Sequence, residues 1–171
     1  MKYTIHGFNQ IEIMKINQEL GLQVKLKREP NWQPNTEDII MKDGKTRKRP
    51  EPKLPKISNN ELLILRWFVD FYGTGIMTKI DVNGSQYVWV KYQSILDDLP
   101  ILDINKDGIK RVFDNLVDFK ILKHQTIKNE FGTFAVYYFD ENYERLVKEI
   151  KDNGCTLKSI DGYVENKVRV R

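Results

Sequence analysis

Residues 92–122 read YQSILDDLPILDINKDGIKRVFDNLVDFKIL, in which a short apolar-patterned run, a tight apolar turn and a longer periodic run follow one another directly. The longer run sets Ile109, Val112, Phe113, Leu116 and Val117 at helical spacing, which predicts a helix with one buried face. Lys106, Asp107, Lys110, Arg111 and Asp114 fall on the other face. The shorter run predicts a helix over residues 93–99 stopped by Pro100, because a proline further in would lose a backbone hydrogen bond and clash with the preceding turn. Ile101, Leu102 and Ile104 are expected to fill the corner between the two helices. Asn105 is placed as the N-cap of the second helix, and Asp107 suits the positive end of its dipole. Gly108, costly by about 1 kcal/mol relative to Ala inside a helix, marks a close approach of another surface. This order of elements is a helix-turn-helix, and cations near the start of its second helix are the usual means of reaching into a DNA major groove.

The flanking residues narrow the expectation. Residues 121–127 and 133–139 are β-prone runs around Asn129, Glu130, Phe131 and Gly132, and a hairpin directly after the second helix is the wing of a winged helix. Upstream, residues 77–82 and 87–90 flank Asn83 and Gly84, a strong two-residue hairpin signal. Earlier still, Ser58 and Glu61 have capping-box spacing. Leu62, Leu63, Ile64, Leu65, Trp67, Phe68, Val69 and Phe71 follow, apolar nearly all round, with Arg66 and Asp70 able to pair at i and i+4. Such a helix must be covered on several sides, so its aromatics belong to the core. Residues 142–150 predict a closing helix with Tyr143, Leu146, Val147 and Ile150 on one face. The expected fold is α+β: a winged helix-turn-helix core over residues 58–150 with an extra N-terminal β-hairpin, a basic N-terminal extension over 1–57 and a tail over 151–171.

Within the extension, Ile11, Ile13, Met14, Ile16 and Leu20 predict a short amphipathic helix ended near Gly21, and residues 24–27 alternate as a short strand would. Trp32, between Pro30 and Pro34, is expected to pack on the surface; exposed, it would be an anchor for a partner. Residues 42–56, KDGKTRKRPEPKLPK, carry seven cations against two anions, and Pro50, Pro52 and Pro55 predict an extended, solvated linker. Such a stretch either serves as a linker or lays Arg47, Lys48 and Arg49 along a phosphate backbone or into a minor groove.

Composition bounds the function. At 171 residues and 40% apolar content the chain supports one core with extensions. Cys155 is its one cysteine and His6 and His124 are far apart, so neither a disulfide, a metal site nor a Cys–His nucleophile is expected. His124 reads as a half-buried structural residue. There is no glycine-rich phosphate loop, GxSxG turn or HExxH run, and Asp97 and Asp98 read as solvated surface, so no catalytic residue, no cofactor and no enzyme activity are expected. With no signal-like or membrane-length apolar run, the expected location is the host-cell cytoplasm. The net charge of +4 is unevenly spread: residues 1–57 hold 12 Lys and Arg against 7 Asp and Glu, giving +5, whereas residues 58–150 hold 11 against 14, giving −3.

The stretches ELLILRWFVDFYGTGIM, YVWVKYQSILDDLPIL, GIKRVFDNLVDFKIL and GTFAVYYF resemble the N-terminal winged-helix domain of replication proteins from bacteriophages and prophages of Gram-positive bacteria. The opening YTIHGFNQ resembles the start of those proteins. The resemblance covers residues 2–10 and about 61–146, roughly half of the chain, and its motifs are mostly structural. In that family a domain that engages the replication machinery commonly follows, and residues up to Arg171 hold no counterpart of it; a long basic stretch is also inserted ahead of the first core helix.

Two functions follow. The resemblance implies a DNA-binding protein of a phage or mobile element, acting in replication initiation, its control or regulation on double-stranded DNA, with Lys106, Lys110, Arg111, Lys128, Asn129, Arg47, Lys48 and Arg49 as the expected contacts. The alternative keeps the fold but binds protein, as a phage-encoded inhibitor or adaptor that targets a host defence or replication factor through Glu130, Phe131 and Trp32. The acidic balance of residues 58–150 and the acidic, aromatic hairpin tip favour that alternative. A homodimer is compatible with either.

Overall fold

The computed structural model describes residues 4–35, 37–130, 132–148, 151–152 and 155–156. The chain opens with a two-stranded turn, β1 (Thr4–Ile5) and β2 (Phe8–Asn9), and enters helix α1 (Gln10–Arg28). Asn9 caps α1, its Oδ1 accepting from the backbone N–H groups of Ile11 and Glu12 at 3.0 and 3.3 Å.

The expected helix end at Gly21 and the strand over residues 24–27 are both overturned, since α1 runs straight through. Gly21 is instead buried where a Cβ would stand 3.1 Å from the carbonyl oxygen of Pro55, so its missing side chain admits a neighbouring segment. Ile13, Ile16 and Val24 are buried at helical spacing, and that period prevails over the local alternation.

Part of the expected linker is also ordered otherwise. β3 (Ile39–Ile40) pairs antiparallel with β4 (Thr46–Arg47) around an exposed turn in which Gly44 has φ 78°. Pro50, Pro52 and Pro55 all follow β4 and so take no hydrogen bond from this small ladder.

Helix α2 (Asn59–Thr74) starts at Ser58, whose backbone N–H donates to Glu61 Oε2 at 2.9 Å, and ends at Gly75 in the left-handed region. β5 (Lys79–Val82) and β6 (Ser85–Trp89) form the expected hairpin, with positive φ at both Asn83 and Gly84. Helix α3 (Tyr92–Asp98) stops before Pro100, which begins a single 3-10 turn, Pro100–Leu102. Helix α4 (Lys106–Asp118) follows, capped as expected by Asn105 Oδ1 on the Gly108 N–H at 2.9 Å.

β7 (Leu122–Asn129) and β8 (Gly132–Phe139) form a long hairpin, α5 (Tyr143–Val147) comes next, and β9 (Lys151–Asp152) pairs with β10 (Cys155–Thr156). Helix α5 is shorter than expected, and Ile150 lies outside the described residues. The described residues thus build a mixed α/β fold with five α-helices and antiparallel sheets, the largest having the order β5-β6-β8-β7.

One buried cluster joins these elements. Phe68 of α2 meets Phe113 of α4 and Phe139 of β8 edge-to-face, with ring centroids 6.2 and 5.4 Å apart. Phe8, Ile13, Ile16, Val24 and Ile57 belong to the same cluster, so the first 57 residues contribute to the core that α2 and α4 share. Ile101 departs from expectation: it is 83% exposed, while Leu102 and Ile104 alone of the three pack on the core. A single 3-10 turn points its central side chain outward while its neighbours turn in. Among the described residues no helix is long and apolar enough to cross a membrane.

Candidate nucleic-acid interface

Amphipathicity of α4 sets the site. Ile109, Val112, Phe113, Asn115 and Leu116 are buried, which turns Lys106, Asp107, Lys110, Arg111 and Asp114 to solvent. Among the described residues no carboxylate stands within ion-pair distance of Lys106, Lys110 or Arg111. Asp107 and Asp114 interleave with these cations without neutralising them by direct contact. Gly108 is explained by its own corner: a Cβ there would stand 3.0 Å from Ile104 Cβ, so the close approach is that of the preceding turn.

One flank of the exposed face borders the β7–β8 hairpin. Phe113 wedges between Tyr92 of α3 and Tyr137 of β8, with centroids 5.7 and 4.5 Å away, and the two tyrosine hydroxyls meet at 2.6 Å. Burial, together with the Tyr92 hydroxyl, raises the Tyr137 phenol far above its ordinary value and keeps it neutral. His124 pairs across from Tyr137, its ring 5.0 Å from the tyrosine ring. It is exposed rather than half-buried, because β7 is an edge strand with no neighbour beyond it. Partial desolvation lowers its pKa, Asp114 opposes that and Lys110 adds to it, and the net position is below the ordinary value. Lys128 lies on the same strand face as His124 and is exposed.

The opposite flank is a clamp. Arg111, Asn115 and Asp118 share one stripe of α4 by helical spacing. Asn115 is buried: its Nδ2 donates to the carbonyl of Lys56 at 3.0 Å and to Glu61 Oε1 at 3.2 Å, and its Oδ1 accepts from Arg28 Nη2 at 2.9 Å. Asp118 accepts from Lys27 Nζ at 2.5 Å and Arg28 Nε at 2.9 Å. Burial alone would raise the Asp118 carboxyl, but the hydrogen bonds from Lys27 and Arg28 outweigh it and hold the group below the usual carboxylate range. The end of α1 and the segment entering α2 are therefore both fastened to α4, so the stretch between them begins and ends on that side.

The expected contacts divide accordingly. Lys106, Lys110 and Arg111 are brought together on α4. Arg47, Lys48 and Arg49 are exposed in the loop, where Arg49 Nε donates to the Glu37 carbonyl at 3.0 Å, and no described contact joins them to α4. Glu130 is exposed at the hairpin tip, while the Asn129 side chain and Phe131 lie outside the described residues. Trp32 is half-buried with the Lys25 ammonium 5.5 Å from its ring centre, so it packs on the end of α1 as expected. Lys27, Arg28 and Asn115 escaped the sequence reading as parts of the site. A polar residue set in the apolar face of α4 was the available signal for Asn115.

Comparison with protein-family models finds no match, and searches of curated proteins and of solved structures find none either. Among the described residues no group of three or more His, Cys, Asp or Glu side chains is placed to hold a metal ion. Beside the β7–β8 hairpin the face offers three cations with no ion-pair partner among the described residues, which is chemistry for binding phosphate and base edges.

Proposed function

We propose that the chain is a DNA-binding protein whose residues 58–150 act as a winged helix, with α4 in the major groove, the β7–β8 hairpin as wing and the loop of residues 29–53 on phosphates. The carrying observation is that Lys106, Lys110 and Arg111 stand exposed on α4 between the hairpin and the loop anchors, with no ion-pair partner among the described residues. Support for the topology comes from the strand order β6-β8-β7, in which the hairpin after α4 joins the strand that precedes the two helices. The resemblance to phage and prophage replication proteins supports a role in replication initiation or its control on a mobile element. No catalytic step and no cofactor enter this function.

A gel-shift titration with the element's own double-stranded DNA at several salt concentrations tests it. The proposal expects retention that exceeds that of unrelated DNA and falls as salt rises. Equal, weak retention of both DNAs at low salt would rule it out.

A second function rests on a specific observation: Asp107 and Asp114 interleave with the cations of α4, Glu130 is exposed at the hairpin tip, and residues 58–150 carry −3 overall. A protein partner, such as a host defence or replication factor, would suit that mixed surface. Retention of such a factor that is lost on changing Glu130, with no DNA shift, would select this function.

A further inference from the structure

The β3–β4 hairpin is a ribbon of its own, paired with no other described strand. Ile40 pairs with Thr46 and Ile39 with Arg47. The Met41 N–H donates to the Lys45 carbonyl at 2.8 Å, and the Gly44 N–H closes the turn on the Met41 carbonyl at 2.9 Å. At the base, Arg49 Nε donates to the Glu37 carbonyl at 3.0 Å. The apolar side chain this ribbon carries outward is Ile40, which is 78% exposed. From Ile39 to Arg49 five cations, Lys42, Lys45, Arg47, Lys48 and Arg49, accompany one anion, Asp43. Lys45 takes Asp43 at 3.5 Å, and among the described residues no carboxylate stands within ion-pair distance of the other four.

We infer that the β3–β4 hairpin enters the minor groove of double-stranded DNA and drives the Ile40 side chain between two stacked base pairs, kinking the duplex. The inference rests on the reading of the chain as a DNA-binding protein, but not on α4 being the element in the major groove. Charge complementarity selects the occupant, since the four cations free of carboxylates suit the phosphates that line a groove on both sides. An apolar wedge between such cations partly unstacks a base step and bends the duplex by about 20–90° toward the major groove. Ile40 suits that task. Its branched side chain is stiff at χ1 and the ladder fixes its backbone, so little freedom is lost on insertion. Steps of the TA type unstack most readily, which makes them the expected point of entry.

The ribbon is poorly made for an anionic membrane. Successive residues of a strand point to opposite faces, so Ile40 and its exposed neighbour Met41 cannot enter one surface together. The cross-strand neighbour of Ile40 is Thr46, which is polar. Membrane-surface binding scales with a continuous apolar face, whereas a base step admits a single side chain.

The test is energy transfer between dyes at the two ends of a duplex of about 30 base pairs with one central TA step, its adenine replaced by fluorescent aminopurine. Low salt is used, where phosphate contacts suffice for binding. The full chain at saturation should raise both the transfer and the aminopurine emission, as the ends approach and the base unstacks. Ile40→Ala should abolish both rises and weaken binding several-fold, with the melting temperature of the parent because the side chain is exposed. Ile40→Leu should restore them. If Ile40→Ala does not fold, the unaltered chain on a duplex whose central step is AA should still give a clearly smaller rise in transfer. Saturated binding with neither rise, or rises that Ile40→Ala leaves intact, overturns the inference while the DNA-binding reading stands. Failure to bind any duplex overturns both. Capture by phosphatidylserine vesicles that depends on Ile40, with no change in the duplex, also overturns the inference.

Discussion

Arg28 Nη2 donates to Asn115 Oδ1 at 2.9 Å, across 87 residues of sequence. The same buried amide donates to the Lys56 carbonyl, so one side chain of α4 holds the end of α1 and the entry to α2 together. Asn115→Ala should therefore remove the hydrogen bonds to Arg28, the Lys56 carbonyl and Glu61 and loosen both anchors, costing about 1–3 kcal/mol in urea denaturation. It should also speed proteolysis within residues 29–53, because both ends of that loop depend on the amide. An unchanged denaturation midpoint would show that the clamp contributes nothing.

The packing beneath the exposed face of α4 predicts a larger effect. Phe113 is fully buried among Phe68, Tyr92 and Tyr137, and Phe113→Ala should cost roughly 3–5 kcal/mol. Tyr137→Phe keeps the ring and removes one hydroxyl of the pair with Tyr92, so its cost should be near 1 kcal/mol. Similar losses for the two variants would contradict this account of the core.

Acid stability should fall in two steps. Asp118 has a folded pKa below its ordinary 3.8, so its ion pairs stabilise fully above that value and are lost as pH falls through the folded one. His124 has a folded pKa below its ordinary 6.5, so the fold favours neutral imidazole; that contribution is present above 6.5 and declines as pH falls below it. Unfolding free energy followed against pH should lose the lower step in Asp118→Asn and the upper step in His124→Gln. A curve of unchanged shape in either variant would refute the assignment.

Much of this fold was legible locally, and the remainder was not for identifiable reasons. Helix α4 announced itself through a cap at Asn105 and an apolar period over a full helix, and Asn83 with Gly84 specified the first hairpin. Helix α1 was misread because Gly21 has the identity of a helix stop. Its true role, admitting Pro55, lies 34 positions away in the chain. Strands β3 and β4 have two residues each, too short for any period to register. The site was half legible: Lys106, Lys110 and Arg111 followed from α4, but Arg28 and Lys27 reach Asp118 across 90 and 91 residues, a contact that only the packed core creates.

Neutralising Arg47, Lys48 and Arg49 together tests the loop as a phosphate contact. Binding to every DNA sequence should weaken, and the dependence of log affinity on log salt should flatten by about 0.9 per lost contact. A slope equal to that of the unaltered chain would leave residues 29–53 as a connector only.

The most direct measurement is DNA binding by Arg111→Ala and by the double change Lys110→Ala with Arg111→Ala, each checked to fold like the parent. If α4 enters the groove, Arg111→Ala should cost on the order of 1–3 kcal/mol and relax preference at one base position, and the double variant should lose specific retention. Specific retention that survives loss of both cations would contradict the placement of α4 in the groove.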